Sequence, residues 1–411
     1  MSDAVPQFDP TQQSVIDDPY PAFHTLMERD PVHFSPAVGG WVLTRYDHVR
    51  AALRDPRLSA DRIRPFIDHL PGDQRRELAD LGHHLSLWAV FNDPPVHTRL
   101  RGLMNKAFTS RAVAALRPRI QGIVDDLLDA VAAKGEMDVI RDFAYPLPAT
   151  VIADMLGVPR SDVHLLKQWS DQLNAFVGGA RATADKYRIA AQGIAEMTDY
   201  FRRFIDEHRR RPREDVSSAL IAAEAEGEHL TADELVATCV LLLFAGHETT
   251  THLIGNGVLA LLRHADQLAD LRANLANEAV VESAVEEMLR WDGPSLSQAR
   301  IVAEDFELDG KRLRTGERVF LMIAAANRDP RAFADPDRFD IRRADNRHLT
   351  FGYGIHFCIG APLARLEGQV AFPALLRRFD KLHLLPRELR WSDNLVFRGM
   401  HDLAVGFSRA A

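Results

Sequence analysis

The sequence predicts a mainly α-helical protein with a small β portion, folded as a single large domain over residues 1–411 behind an N-terminal tail of about 20 residues. Three observations carry that prediction. From residue 94 to about 290 the apolar residues recur at helical spacing. Short strand-like runs are confined to either side of that block, near residues 32–44 and 301–323. No internal repeat or low-complexity linker divides the chain.

The elements follow in order. Val32-His33-Phe34 and Trp41-Val42-Leu43-Thr44 read as strands on either side of a Gly-Gly turn, and Tyr46 to Leu53 as a helix. Residues 60–92, with Pro65, Pro71 and Gly72, read as irregular. Ser110 is placed to cap a helix whose Val113, Leu116, Ile120, Ile123, Leu127 and Val131 share one face, with Gly135 as its stop. Helices over 146–156, 161–177 and 184–209 are punctuated by Gly157, Pro159 and Gly178-Gly179. Thr231-Ala-Asp-Glu234 is a capping box. It opens a helix reaching about His264, unusually long for a globular protein. Asp292-Gly293-Pro294 ends another helix near Trp291. Strands follow around Ile301, over Phe306 to Leu308 and over Arg318 to Ile323, with Asp309-Gly310 as a hairpin turn.

Composition narrows the function. The hydrophobic fraction of 46% supplies a large core, and the net charge of -8 argues against a nucleic-acid protein. Two cysteines exclude a disulfide framework, a four-cysteine zinc site and an iron–sulfur cluster, and fit a reducing cytoplasm. The start, MSDAVPQFDP, does not read as a signal peptide, and the apolar run from Cys239 to Ala245 is too short to span a membrane.

Two stretches stand out. In LLLFAGHETTTHLIG, residues 241–255, an apolar helix turns polar at Gly246, His247, Glu248, Thr249, Thr250 and Thr251. This is either a patch facing water or a local distortion that opens a groove with an acid beside an alcohol. Such a pair relays protons. In FGYGIHFCIG, residues 351–360, Cys358 sits among glycines, just before Pro362 opens a helical pattern with Leu363, Leu366 and Val370. A helix N-terminus favours an anionic sulfur. Read alone, the stretch fits a reactive nucleophile as well as a metal ligand, and its glycines fit a simple turn. Cys239, inside the apolar helix, reads as a small buried hydrophobe.

FGYGIHFCIG resembles the haem-binding loop of the bacterial cytochromes P-450, the haem–thiolate monooxygenases, through Phe351, Gly354, His356, Cys358 and Gly360. Ala245-Gly246-His247-Glu248-Thr249-Thr250 is similar to the family's oxygen-activating turn. Glu287-Met-Leu-Arg290 resembles its Glu-x-x-Arg helix, and Phe333-Ala-Asp-Pro-Asp-Arg338-Phe339 the segment that supplies a second arginine. Asp93-Pro-Pro-Val-His97-Thr-Arg-Leu-Arg101 resembles the helix that holds a haem propionate. The likeness covers about residues 20 to 405. Val96 departs from it where many relatives carry a carboxylate, which forgoes a little helix-dipole stabilisation.

The resemblance implies haem b with Cys358 as its axial ligand, and His97, Arg101, Arg300 and His356 as propionate partners. Asp93 is expected to cap a helix with Pro94 in its first position, placing His97 and Arg101 on one face. Phe351 and Phe357 would shield the site. Glu248 and Thr249 are implied as the proton-delivery pair, and Glu287, Arg290 and Arg338 as a structural triad. The substrate pocket is expected from Leu87, Trp88, Val90, Phe176, Leu241, Phe244, Ala245, Leu296 and Phe397, with Ser295, Ser297 and Gln298 orienting a polar group.

The implied reaction is insertion of one oxygen atom from O2 into a small apolar substrate, in secondary metabolism or xenobiotic oxidation. Electrons would come from NAD(P)H through a ferredoxin reductase and ferredoxin, docking on Arg99, Arg101, Lys106, Arg111 and Arg365. A cytoplasmic monomer is expected. The alternatives are a peroxide-driven peroxygenase, which usually lacks the acid–threonine pair, and a non-enzymatic haem protein.

Overall fold

The structure is a computed structural model that describes residues 7–178, 185–225 and 230–409. Helix makes up 57% and strand 12%. Average soluble domains hold roughly a third helix, so the mainly α reading stands. The longer helices are α1 (Val96–Ala107), α2 (Arg117–Val131), α3 (Pro146–Leu156), α4 (Val163–Val177), α5 (Lys186–Arg210), α6 (Ala232–Arg263), α7 (Glu278–Trp291) and α8 (Ala361–Arg378). The strands are β1 (Val32–Ser35), β2 (Gly40–Leu43), β3 (Leu58–Ser59), β4 (Glu136–Asp138), β5 (Gln298–Val302), β6 (Phe306–Leu308), β7 (Lys311–Leu313), β8 (Arg318–Leu321), β9 (Phe379–Leu384) and β10 (Ala404–Arg409). Among the described residues no helix is long and apolar enough to cross a membrane.

Backbone contacts divide the chain into two compact units. One comprises residues up to Leu58, Ala114–Pro148 and Glu248 onward; the other comprises Ser59–Val113 and Ala149–His247. The segments alternate along the chain, so no linker marks the units in the sequence.

In the first unit a five-stranded sheet has the order β1-β2-β8-β5-β3. β2 runs parallel to β8, with Trp41 opposite Val319. Leu43, Val49, Leu53, Val302, Val319, Leu321 and Leu349 form the core beneath it. The hairpin β6–β7 turns at Asp309 and Gly310, both at positive φ, as its sequence predicted. β4 and β9 flank β10 in a second sheet. Helix α7 ends at Trp291, and Gly293 lets the chain then pass the Leu289 carbonyl oxygen, which a Cβ there would meet at 2.0 Å. Helix α8 starts after Gly360 with Pro362 in its first turn, where a missing N–H costs nothing.

In the second unit α4 and α5 pack closely where a Cβ on Gly193 would meet Gln172 Oε1 at 2.7 Å. Helix α6 opens on the predicted capping box. Glu234 N donates to Thr231 Oγ1 at 3.2 Å and Thr231 N donates to Glu234 Oε2 at 2.9 Å.

Three expectations are corrected. Residues 110–131 form two helices, Ser110–Ala114 and α2, because Pro118 has no N–H to continue the first and sits in the opening turn of the second. The donor satisfied before the break is Ala112 N, bonded to Thr109 Oγ1. Residues 60–92 are not irregular: they hold helices at Ile63–Asp68, Gly72–Glu77 and Ala79–Ser86. Pro65 and Gly72 lie in first turns, where they are tolerated. The strand from Arg318 ends at Leu321, and Ile323–Ala326 is helical.

Candidate active site

The loop 351–360 is built by its glycines. Gly352 and Gly354 have φ of +74° and +79°, which side-chain-bearing residues rarely adopt. A Cβ on Gly354 would also meet Arg54 Cγ at 2.9 Å. The turn closes with Phe357 N on Gly354 O and Cys358 N on Phe351 O, at 3.1 and 2.9 Å. Cys358 is exposed and in no disulfide, at the approach to the α8 N-terminus. Phe357 and Ile355 beside it are 41% and 53% exposed. An exposed thiol in one short loop with two exposed apolar side chains offers a surface suited to a flat apolar group. The donor set therefore fits the haem that the resemblance implies. Phe351 is buried and packs under the Arg365 guanidinium, 4.5 Å from its ring centroid.

Behind the loop, α7 supplies two adjacent carboxylates. Glu286 accepts Arg365 Nε and Nη2 of α8 at 2.6 and 2.8 Å, and lies 3.1 Å from His348 Nε2. Burial alone would raise its pKa, but the Arg365 and His348 contacts outweigh it and bring it to about 2. Glu287 accepts Arg290 Nε and Nη2, each at 2.8 Å, with both side chains fully buried.

The expected second arginine is corrected. Arg338 is exposed and contributes its carbonyl oxygen, which accepts Arg290 Nη2 at 3.1 Å. The side chain that reaches Glu287 is Arg343, with Nε 3.1 Å from Oε2. Nothing in the local pattern of Arg343 signals that partner, because the ion pair spans 56 positions.

Arg300, on β5, is buried. Its Nη1 donates to the Ala299 carbonyl and its Nη2 to Gln298 Oε1, at 2.9 and 3.3 Å. Gln298 in turn faces the cysteine loop, since a Cβ on Gly352 would lie 3.2 Å from its Nε2. His356 closes the short turn Gly354–His356 and is half-buried. Ser297 is not available to a ligand as expected: it is buried, with Oγ bonded to Leu395 O at 2.6 Å. The backbone does bring Leu296 to the 396–397 segment, with Leu296 N on Val396 O at 2.8 Å and Ser295 bridged to Phe397.

In the second unit His97 and Arg101 share α1 at i,i+4, as expected. Burial, reinforced by the Arg101 guanidinium, holds the His97 imidazole below its ordinary pKa. Asp93 does not cap this helix. Its carboxylate accepts Ser59 Oγ and Ala60 N, while α1 begins at Val96. Arg99 is bound to Glu234, with Nη1 3.0 Å from Oε2. Trp88 is almost fully buried, stacked on Phe91 at 5.7 Å and tilted against Phe244 at 5.6 Å. It is core of this unit, as is Leu241, whereas Leu87 and Phe176 are half-buried and Val90 is exposed. Phe176 joins Phe66 and Tyr187 in an aromatic cluster.

Helix α6 runs from Ala232 to Arg263 through its polar stretch, so of the two readings of that stretch the backbone shows no break in the helix. Gly246 serves packing: a Cβ there would meet Ile152 Cγ1 at 2.7 Å. His247 turns inward and its Nδ1 lies 2.8 Å from the Leu243 carbonyl. On a helix otherwise buried from Leu235 to Leu261, Ala245 is exposed, and Gly246, Glu248 and Thr249 are partly open. One turn on, His252 Nε2 lies 3.4 Å from Glu248 Oε1. Sequence reasoning missed that contact, although its i,i+4 spacing was readable.

A family model described as Cytochrome P450 matches residues 41–391. Cytochrome P450 monooxygenase PikC of Streptomyces venezuelae is 43% identical over 401 residues, 95% of this chain and 92% of that protein. The biotin biosynthesis cytochrome P450 of Bacillus subtilis (strain 168) is 39% identical, over 95% of this chain and 96% of that protein. Among solved structures, P450BioI in complex with a hexadec-9Z-enoic acid ligated acyl carrier protein superposes with a TM-score of 0.89 at 37% identity, covering 96% of this chain and 100% of that one. CalO2 gives the same score and identity over 98% of this chain and 100% of that one. With this likeness over nearly its whole length, the chain belongs to the cytochrome P450 family of haem-dependent monooxygenases.

Proposed function

We propose that this chain inserts one oxygen atom from O2 into a small apolar organic substrate, with electrons from NAD(P)H delivered by a ferredoxin reductase and ferredoxin. One observation carries the reading: an exposed Cys358 thiol among exposed apolar side chains, on the same chain as a buried helix that opens only around Glu248 and Thr249. Bound haem would supply the centre at which dioxygen is reduced and cleaved.

The chain's residues do the rest. Cys358, its charge favoured by the α8 N-terminus, would hold the iron as thiolate. Arg300 and His356 would neutralise propionate charge, for which the planar guanidinium fork suits a carboxylate. Glu248 carries protons inward from solvent, and the Thr249 hydroxyl hands them to the oxygen substrate. Glu287, Arg290 and Arg343 hold α7 and the following segment in place and touch no reactant.

A secondary-metabolite substrate is the favoured class. Relatives include the polyketide biosynthesis cytochrome P450 PksS of Bacillus subtilis and the cyclomarin C epoxidase CymV of Salinispora arenicola. Leu87, Val90, Phe176 and Ala245 supply accessible or partly accessible apolar surface in the second unit, and Phe397 does so in the first, where Leu296 is buried. The ferredoxin face draws on Arg101, Lys106 and Arg111; of the other two basic residues, Arg99 pairs with Glu234 and Arg365 with Glu286. The test is a spin-state screen of the purified ferric protein against a compound library. Hits are then turned over with oxygen and a ferredoxin system. Product that forms with peroxide but not with reduced ferredoxin and oxygen would replace this reading with a peroxygenase.

A further inference from the structure

We propose that His252 is the positioning residue of Glu248, fixing the carboxylate of the proton-delivery pair, and that Gly399 is the seat that makes this possible. The inference rests on the assignment of Glu248 given above.

Four observations converge. His252 lies one helical turn beyond Glu248 on α6, and its Nε2 is 3.4 Å from Glu248 Oε1. The two side chains are only 8% and 12% exposed, so the contact is little screened by solvent. The ring lies directly on Gly399: a Cβ there would fall 1.9 Å from Nδ1 and 2.2 Å from Cε1. Nδ1 finds no polar partner among the described residues. A buried ring nitrogen without a partner is costly. An aliphatic side chain would fill the space without that cost, so packing alone does not account for an imidazole here. The Nε2 contact with Glu248 does.

The seat is rigid. Asn256, one turn further along α6, donates from Nδ2 to the carbonyls of Asp292 and Arg398, both at 2.9 Å. Arg398 N bonds Pro294 O and Ser392 N bonds Gly399 O, at 2.9 and 2.8 Å. The Arg398 guanidinium is bonded to the Ile16 and Asp17 carbonyls. Segment 398–399 is thus pinned to α6 next to His252, and the ring has one place to go. With Nδ1 against the glycine, Nε2 is the ring nitrogen on the side of the carboxylate. A glutamate has several rotamers; a ring held by its own surroundings selects one of them.

The test uses the haem-loaded enzyme and two readouts. The infrared carboxyl band of Glu248, identified by its loss in Glu248→Gln, is recorded in the ferric protein. The ratio of peroxide to product is measured in turnover. His252→Ala is expected to move the Glu248 band and raise the ratio about tenfold, the size of an effect of about 1.4 kcal/mol. His252→Gln, whose amide reaches as far, restores both. Gly399→Ala displaces the ring and reproduces His252→Ala without altering either partner. In a Glu248→Gln background His252→Ala adds nothing. An unmoved band in both His252→Ala and Gly399→Ala overturns the inference whatever the turnover shows. If Glu248→Gln leaves the ratio unchanged, the role assigned to Glu248 fails instead. If Glu248→Gln raises it and His252→Ala does not, only the positioning role fails.

Discussion

The Arg343 guanidinium donates to the Glu287 carboxylate, Nε to Oε2 at 3.1 Å, where the two side chains are 9% and 0% exposed. Glu287 also accepts Arg290, Asp340 N and Asn346 Nδ2. Removing one partner of a buried pair costs roughly 3–5 kcal/mol, because the remaining charge stays desolvated. Arg343→Ala is therefore expected to lower the melting temperature and release haem. Arg338→Ala, which removes an exposed side chain, should change stability by no more than about 0.5 kcal/mol. Thermal melts of both variants check this; the reverse ranking would contradict the geometry.

Thr249 is partly open on a buried helix and carries the hydroxyl next to Glu248. Thr249→Ala should bind substrate with an unchanged spin-state shift, yet divert reducing equivalents to hydrogen peroxide. Stoichiometry of NAD(P)H, peroxide and product measures the split. Full coupling in the variant would remove Thr249 from the proton path.

Glu286 has its pKa brought to about 2 in the folded chain, from an ordinary value of 4.5. Burial opposes that shift, and Arg365 and His348 overcome it. A depressed carboxylate stabilises the fold above its unfolded pKa. Its contribution is lost as pH falls from about 4.5 towards 2. Glu286→Gln should therefore melt below the wild type at neutral pH, with the gap closing as pH drops through that window. A gap independent of pH would rule out the charge as its source.

Gly246 faces Ile152 so closely that Gly246→Ala must displace the isoleucine. Overpacking of this kind costs about 1–3 kcal/mol. The double variant Gly246→Ala, Ile152→Ala should be less impaired than the two single effects summed. A simple sum in a double-mutant cycle would mean that the two sites do not meet.

What the sequence disclosed is what local chemistry determines. The start of α6 was legible because Thr231 and Glu234 satisfy each other within one turn. The β6–β7 turn and the end of α7 were legible because Asp309-Gly310 and Gly293 answer steric demands of their neighbours. The helices of residues 63–86 were hidden because each is short and two of them carry in their first turn a residue, Pro65 or Gly72, that reads as a breaker. β4 and β10 were hidden because Met137 pairs with Val405, far along the chain. The same distance concealed Arg343 behind Arg338. In the candidate site, Cys358 and its glycines carried their own signal. Trp88 was expected in a pocket, and only its packing partners Phe91 and Phe244 show how fully it is buried; the close contact of Gly246 with Ile152 was likewise invisible in the local pattern.

The central claim is that Cys358 holds the iron. Cys239 supplies the internal control: it is fully buried in α6, and burial pushes its thiol up to about 12, so it stays protonated. The decisive measurement is the absorption spectrum of the reduced carbon monoxide complex in both serine variants. The account predicts that Cys358→Ser loses the thiolate-type spectrum while Cys239→Ser keeps it. A thiolate-type spectrum surviving in Cys358→Ser would contradict the account.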